Sequence, residues 1–246
     1  MALQTAMRMQ ADGVQIDLRS QVRPVDYGQT AQRQLLNYIN ECNLKLASTH
    51  FMLRSPLFEP ERLEERVTAV QAAIEFASQL RVRTLTIRAG RLPATDSKPF
   101  QDVVIPVLQD LAGYGNLHGV TLCIIPAGDS AESLLSLLDS IKTGPVSIDA
   151  DLGGWILAGR KPEEQLRTLN AVIGHVEVRD GVRDVDGIGQ EVPVGRGEID
   201  WDEVAALLAE MDYQGWLNVR RSSGEDKVSD AARAIKYLRN LLMLEP

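Results

Sequence analysis

The sequence predicts an α/β protein folded as a single (β/α)8 barrel, the TIM-barrel fold, over residues 1–246. Seven short runs rich in Val, Ile, Leu and Thr recur along the chain, and helical patterns separate them without an intervening linker. The strands follow one another every 25 to 45 residues or so, which is roughly the spacing of parallel βαβ units. An open doubly wound sheet is the alternative.

The strand and helix signals follow one another in order. The predicted strands are residues 14–19, 44–51, 83–89, 120–126, 145–151, 172–179 and 215–221. Residues 67–80 carry an apolar helical stripe, Asp200 and Glu203 resemble a capping box, and Ser229 can cap the last helix. A helix over residues 3–10 precedes the first strand, so the expected opening strand of an eight-stranded barrel is absent from this sequence.

Composition and charge argue against several classes of partner and location for this protein. Lys and Arg total 26 against 34 Asp and Glu, and the net charge of -8 would repel nucleic acid,. Two cysteines are too few for a disulfide framework, which favours a reducing cytoplasm,. No secretory leader and no apolar run of membrane-spanning length is visible, so we expect no membrane partner.

Polar residues alternate along six of the predicted strands. Residues at i and i+2 share one face of a strand, and helices cover the outside of a barrel, so these groups should point inward. We therefore expect a polar pocket at the C-terminal mouth of the barrel. The sets are Gln15, Asp17 and Arg19; Ser48 and His50; Thr84, Thr86 and Arg88; Asp149 and Asp151; His175, Glu177 and Arg179; and Asn218 with Arg220.

Two loops carry further signals. The glycine-rich residues 181–200 are long for a βα loop and suggest either a lid or a plain surface excursion. Arg91 and Lys98 lie in a second loop, where they would hold an anion or simply remain solvated. No nicotinamide fingerprint, P-loop or nucleophile elbow is present, and three histidines exclude a His-rich metal site,.

Several motifs together resemble a known family. HVEVRDGVRD and VPVGRGEIDWDEVAALLAEMDYQGWLNVRR look like the sugar phosphate isomerase/epimerase family of xylose isomerase-like TIM barrels. The resemblance extends upstream through VSIDADLGGWILAG, VTLCIIPAG, LTIRAGRLP and ADGVQIDLR. It implies a barrel that acts on a small sugar or its phosphate. Homodimers are common among such barrels.

The resemblance also implies a divalent metal held by Glu, Asp, His and Glu, and this sequence departs from that set. Ile125 stands at the first glutamate, Asp151 matches the aspartate, Glu177 stands at the histidine and Arg220 at the last glutamate. Gly154 replaces a histidine that contacts substrate in related epimerases. Both glutamates that move protons in the family are therefore lost.

The substitutions keep the net charge of the site. Three acidic ligands with a 2+ metal sum to -1, and Ile125, Asp151, Glu177 and Arg220 also sum to -1. We hypothesise that the Arg220 guanidinium occupies the place of the cation and pairs with Asp151 and Glu177. No cofactor is then expected. The opposing interpretation is a weak magnesium or manganese site on Asp149, Asp151 and Glu177.

Three function classes follow. The first is an isomerase or epimerase in which Glu177, Asp151 and Arg220 are catalytic. The second is a non-catalytic sugar-binding or regulatory relative. A nuclease is the third, since endonuclease IV shares the fold, but the acidic balance opposes it. The candidate substrate-binding residues, of which the resemblance singles out Arg183, are His50, Arg88, His175, Arg179, Asp180 and Arg183.

Overall fold

The computed structural model describes residues 1–243, and all seven predicted strands are confirmed. The strands are β1 (Gly13–Asp17), β2 (Lys45–Phe51), β3 (Thr84–Ile87), β4 (Thr121–Ile124), β5 (Val146–Asp151), β6 (Ile173–Val178), β7 (Asp180–Arg183), β8 (Gly189–Val192) and β9 (Leu217–Val219). The helices are α1 (Ala2–Arg8), α2 (Gln29–Glu41), α3 (Leu63–Gln79), α4 (Ile105–His118), α5 (Ala131–Ser140), α6 (Leu152–Leu157), α7 (Pro162–Leu169), α8 (Trp201–Glu210) and α9 (Lys227–Leu241).

Seven of the strands form one sheet in the order β1-β2-β3-β4-β5-β6-β9, and β7 and β8 form a separate pair. The order follows the chain, as expected when each strand is joined to the next by a helical crossover. By their internal contacts the described residues group into two compact units. One unit is Asp12–Ile148, and the other combines Met1–Ala11 with the described residues from Asp149 onward.

The unit Asp12–Ile148 carries four parallel strand pairs, from β1/β2 to β4/β5. Its strands bury Leu85, Ile87 and Leu122, and apolar stripes on α3 and α4 are buried as well. Burying one face of each helix and both faces of the strands is the main source of stability in such a unit. Gly119 ends α4 in the left-handed conformation with φ 67°, which glycine adopts without strain,.

The second unit contains the parallel pair β6/β9 and helices α6 to α9. Val176, Val178, Trp201 and Leu238 are buried in it. The Asp200 side chain accepts a hydrogen bond from the Glu203 backbone N–H, as the predicted capping box requires,. The cap predicted for the last helix was wrong by three residues, because Asp226 caps α9 by accepting from the Ser229 N–H.

Residues 181–200 are not a continuous loop. Their first half forms the antiparallel hairpin β7–β8, in which Asp180 pairs with Val192 and Arg183 with Gly189. Asp184 Oδ1 accepts the Ile188 N–H at 2.7 Å and closes the hairpin turn. The strands of this hairpin are short and largely polar, so the apolar pattern that predicted the other strands is missing here.

Among residues 1–243, no helix is long and apolar enough to cross a membrane.

Candidate functional site

Six ionisable side chains lie at or near the carboxyl ends of β5, β6 and β9, all within the second unit. The carboxyl-end cluster comprises Asp149, Asp151, His175, Glu177, Arg179 and Arg220. Side-chain alternation on β5 and β6 places the first four on shared faces, as the sequence predicted. All of the cluster except Arg220 is buried, and its charges are compensated by specific pairs.

Asp149 and His175 form the first pair. His175 Nδ1 and Asp149 Oδ1 are 2.9 Å apart, and both side chains are almost fully excluded from water. Burial alone would lower the pKa of His175, but the carboxylates of Asp149 and Glu177 raise it above its ordinary value,. Asp149 therefore favours a charged imidazole. This contact gives His175, predicted as a substrate ligand, a buried protein partner.

Asp151 is held by Arg179 and by the start of α6. Arg179 Nη1 donates to Asp151 Oδ2 at 2.7 Å and to Oδ1 at 3.0 Å. Oδ1 also accepts the Gly154 N–H at 2.9 Å, which makes Asp151 the cap of α6. A Cβ at residue 154 would lie 2.6 Å from Asp151 Cγ, so a histidine does not fit there while the cap is intact.

Glu177 and Arg220 form the third pair. Arg220 Nη1 donates to Glu177 Oε1 at 2.9 Å, while Glu177 Oε2 is buried without a hydrogen-bond partner among residues 1–243. Burial, together with the nearby carboxylates of Asp151 and Asp149, raises the pKa of Glu177 to about 7 although Arg220 lowers it,. Glu177 is thus poised to hold or release a proton near neutral pH.

One detail of the predicted pairing is wrong. The expectation was that Arg220 pairs with both Asp151 and Glu177, but its ion pair in the described chain is with Glu177. The guanidinium on Asp151 belongs to Arg179 instead. Arg179 follows β6 directly and lies close to Gly153, where an added Cβ would be 2.7 Å from Arg179 Cβ, so the bare glycine backbone permits this approach,.

A chain of alternating charges, which we call the ladder, extends from Arg179 through Glu191 and Arg221 to Asp230 in α9. Arg179 Nη2 donates to Glu191 Oε2 at 2.9 Å, and Glu191 Oε1 accepts from Arg221 Nη1 at 3.1 Å and from the Ser222 N–H at 2.7 Å. Arg221 Nε then donates to Asp230 Oδ2 at 2.9 Å. Burial would raise the pKa of Glu191, but the Ser222 N–H and the two arginines lower it,.

The roles of Glu191, Arg221 and Asp230 were not predicted from the sequence. Glu191 lies on β8, Arg221 just after β9 and Asp230 in the first turn of α9. Their spacing along the chain carries no periodic signal. The two adjacent arginines at the end of the predicted strand 215–221 were the available clue, because adjacent residues of a strand point to opposite faces.

Asp180 organises the backbone of the neighbouring loop. Its carboxylate accepts from the N–H groups of Gly181, Gly195 and Gly197 and from Trp201 Nε1, at 2.9 to 3.2 Å. This set uses both oxygens within the protein, so the predicted substrate contact of Asp180 has no observation in its favour. Arg183 lies at the end of β7, is exposed, and donates from Nε to the Gly187 carbonyl at 3.0 Å.

The remaining two candidates belong to the unit Asp12–Ile148. His50 Nδ1 lies 2.9 Å from Thr86 Oγ1, and His50 Nε2 lies 4.0 Å from Asp17 Oδ2. Arg88 is exposed, and its Nη1 donates to the Pro126 carbonyl at 3.4 Å. The predicted alternation on β2 and β3 thus brings His50 and Thr86 together within this unit.

The residues present do not fit the divalent metal that the family resemblance implies. Ile125 has no donor atom, and each of the three carboxylates of the cluster has its own cationic or histidine partner. Within residues 1–243, no group of three His, Cys, Asp or Glu side chains is arranged to hold a metal ion. A guanidinium beside the carboxylates opposes a second cation by direct repulsion.

The chain is similar in sequence to one known protein family and to curated proteins. The model of the family described as "Xylose isomerase-like TIM barrel" matches residues 3–241. A putative hydroxypyruvate isomerase from Xenopus laevis is 24% identical over 74% of this chain and 69% of its own length.

Solved structures resemble the chain over nearly its whole length. A xylose isomerase domain protein from Planctomyces limnophilus has a TM-score of 0.89 at 21% identity, with 97% of this chain and 91% of that chain covered. A D-allulose 3-epimerase from Methylomonas sp. has a TM-score of 0.76 at 16% identity, with 98% and 91% covered. The likeness confirms the predicted TIM-barrel fold.

Proposed function

The chain belongs to the xylose isomerase-like TIM barrel family, and from this premise we propose that it binds a small sugar, sugar acid or sugar phosphate without a divalent metal. The proposed site lies at the carboxyl ends of β5, β6 and β9, around the carboxyl-end cluster. The observation that carries the proposal is the ion pair between Arg220 and Glu177, two positions where the family resemblance implies metal ligands. A cytoplasmic location is part of the proposal, since Cys42 and Cys123 are buried free thiols,.

Isomerisation or epimerisation beside a carbonyl requires a base and an electrophile. In our proposal Glu177 takes the proton from the carbon next to the carbonyl, and the electrons of that C–H bond pass into an enediolate. Arg220 donates a hydrogen bond from Nη1, the nitrogen that faces Glu177, to the oxygen on which negative charge develops,. Return of the proton from Glu177 to the other carbon, while the hydroxyl proton of the enediolate passes to the former carbonyl oxygen, completes an isomerisation. An epimerisation requires instead that water protonates the carbon on the face opposite Glu177, which then releases its own proton to solvent. A pKa of about 7 suits a group that must take up and release a proton near neutral pH,.

One observation favours a second candidate, a non-catalytic sugar-binding or regulatory relative. Glu177 has no solvent-exposed surface, and Arg220, its ion-pair partner among residues 1–243, is the more exposed member of the pair. A base must come within hydrogen-bonding reach of the carbon acid. Turnover through Glu177 therefore requires that the ligand breaks the hydrogen bond between Arg220 Nη1 and Glu177, so that each of the two groups reaches an atom of the ligand.

The two candidates differ in proton exchange. We would incubate the protein in heavy water with hydroxypyruvate or D-allulose, which the names of its relatives suggest, and follow isomerisation and deuterium uptake by NMR. Glu177→Gln keeps the shape of the side chain but removes the base, and Glu210→Gln, at an exposed carboxylate, is the matched control.

The outcomes separate the candidates. Turnover that disappears in Glu177→Gln but persists in Glu210→Gln supports the isomerase or epimerase. Binding without turnover or deuterium uptake supports the non-catalytic relative. Unchanged turnover in Glu177→Gln contradicts the assignment of Glu177 as base, and failure to bind any sugar, sugar acid or sugar phosphate contradicts the proposal as a whole.

A further inference from the structure

Three arginines belong to the carboxyl-end cluster or to the chain of ion pairs that leads from it to α9. They differ in how many of their donor nitrogens are hydrogen-bonded to carboxylates. Arg179 donates from both terminal nitrogens, to Asp151 and Glu191. Arg221 donates from Nη1 and Nε, to Glu191 and Asp230. Each of these two guanidinium groups is therefore fixed between two carboxylates, and each side chain is only 10% exposed.

Arg220 is different in both respects. Nη1 donates to Glu177, whereas Nε and Nη2 have no partner among the residues that the structure describes. The side chain is 32% exposed, three times as much as its two neighbours. Its position directly after β9 is the kind of strand end at which ligands of α/β proteins bind,. Arg220 therefore presents a charged edge with unused donors to solvent.

The unpaired Nε and Nη2 donors of Arg220 match one kind of ligand group. A guanidinium holds its donors in a rigid plane, and the Nε and Nη2 donors are spaced to match the two oxygens of a carboxylate or phosphate. The Glu177 carboxylate fixes Nη1 at 2.9 Å, which orients the plane before a ligand arrives. A donor edge that is already oriented loses less entropy on binding.

We infer that the free edge of Arg220 binds an anionic oxygen group of the ligand, a carboxylate or a phosphate. The inference rests on the proposed function and narrows it, because it makes sugar acids and sugar phosphates the preferred ligands and neutral sugars poor ones. The arginine that stands where the family resemblance implies a metal-binding glutamate thereby becomes the residue that determines specificity.

Three probes with one carbon skeleton test the inference: D-gluconate carries a carboxylate, D-glucitol phosphate carries a phosphate, and D-glucitol is neutral. Their affinities are measured by isothermal titration calorimetry on the wild-type protein and on Arg220→Gln. Arg220→Lys keeps the charge but not the planar fork, and it serves as a second variant if Arg220→Gln folds poorly. Arg196→Gln, at an exposed arginine of the same unit, is the matched control.

We expect at least one anionic probe to bind about tenfold or more tightly than D-glucitol, since charge-assisted bonds of this kind are among the strong ones. Arg220→Gln should abolish that preference, Arg220→Lys should retain part of it, and Arg196→Gln should leave it unchanged. The stronger of the two anions identifies the carboxylate or the phosphate as the recognised group.

Other results overturn the inference. Equal affinity for the neutral and anionic probes, or a preference that survives in Arg220→Gln, contradicts it. A preference that disappears in Arg183→Gln instead would assign the anion to the hairpin. Binding of the two anionic probes that is indifferent to Arg220 contradicts this inference while the proposed function stands, whereas no binding of any of the three probes contradicts both.

Discussion

Replacing Glu177 by Gln should make the protein less sensitive to alkaline pH. Burial holds the pKa of Glu177 at about 7, against 4.5 for an ordinary glutamate. Between these two values the folded protein binds more protons at residue 177 than the unfolded chain does, so its stability falls as the pH rises. The loss is complete once the pH exceeds the folded pKa.

The magnitude follows from the same two values. A tenfold change in proton affinity is worth about 1.4 kcal/mol, so ionising Glu177 in the folded state costs about 3 kcal/mol in total. Most of this cost, about 2 to 3 kcal/mol, develops between about pH 5 and pH 8. Gln cannot ionise, and the free energy of unfolding of Glu177→Gln should therefore exceed that of the wild type by this additional amount at the higher pH.

Urea denaturation of both proteins at the two pH values measures the difference, with Glu210→Gln as the control for an exposed carboxylate. The stability difference between Glu177→Gln and wild type should grow with pH, and that of the control should stay constant. A difference that is independent of pH would refute the reasoning, because Glu177 would then ionise as easily in the folded protein as in the unfolded chain.

Three further variants test the surrounding contacts. Glu191→Gln removes the charge between Arg179 and Arg221 and should lower the free energy of unfolding by about 2 kcal/mol; an unchanged urea midpoint would contradict the ladder. Gly154→Ala adds a Cβ against the cap of α6 and should cost about 1 to 3 kcal/mol, whereas an unchanged melting temperature would show that the cap yields freely. Asp180→Ala leaves four N–H donors without their acceptor, and limited proteolysis should then cut within residues 193–200 faster than in the wild type; equal cleavage rates would contradict this role of Asp180.

The fold was predictable because its signals are local. Each predicted strand carries a run of β-branched and aliphatic residues, and each major helix carries an apolar stripe, so strand and helix positions follow from periodicity. The hairpin β7–β8 was not predictable in this way, because it is short, polar and held by the turn at Asp184. The Asp226 cap was missed because Asp226 and Ser229 are both favourable cap residues, three positions apart.

The sequence predicted which residues of the candidate site share a strand face, but it did not predict which side chains contact one another. Alternation along β5 and β6 correctly grouped Asp149 with Asp151 and His175 with Glu177. It could not decide which arginine reaches which carboxylate, since that depends on side-chain direction and on the close approach at Gly153. The role of Glu191 could not be predicted either. The hairpin β7–β8 brings Glu191 to its partners, and the hairpin itself carries no periodic signal.

We propose that an arginine–glutamate pair stands in place of a divalent metal in this site. Elemental analysis of the purified protein, followed by manganese or magnesium titration with thermal unfolding as the readout, tests it most directly. We expect no stoichiometric metal and no rise in the unfolding midpoint on titration. A stoichiometric metal, or a rise in the midpoint that Asp151→Asn abolishes, would contradict it and would favour a metal-dependent isomerase with unusual ligands.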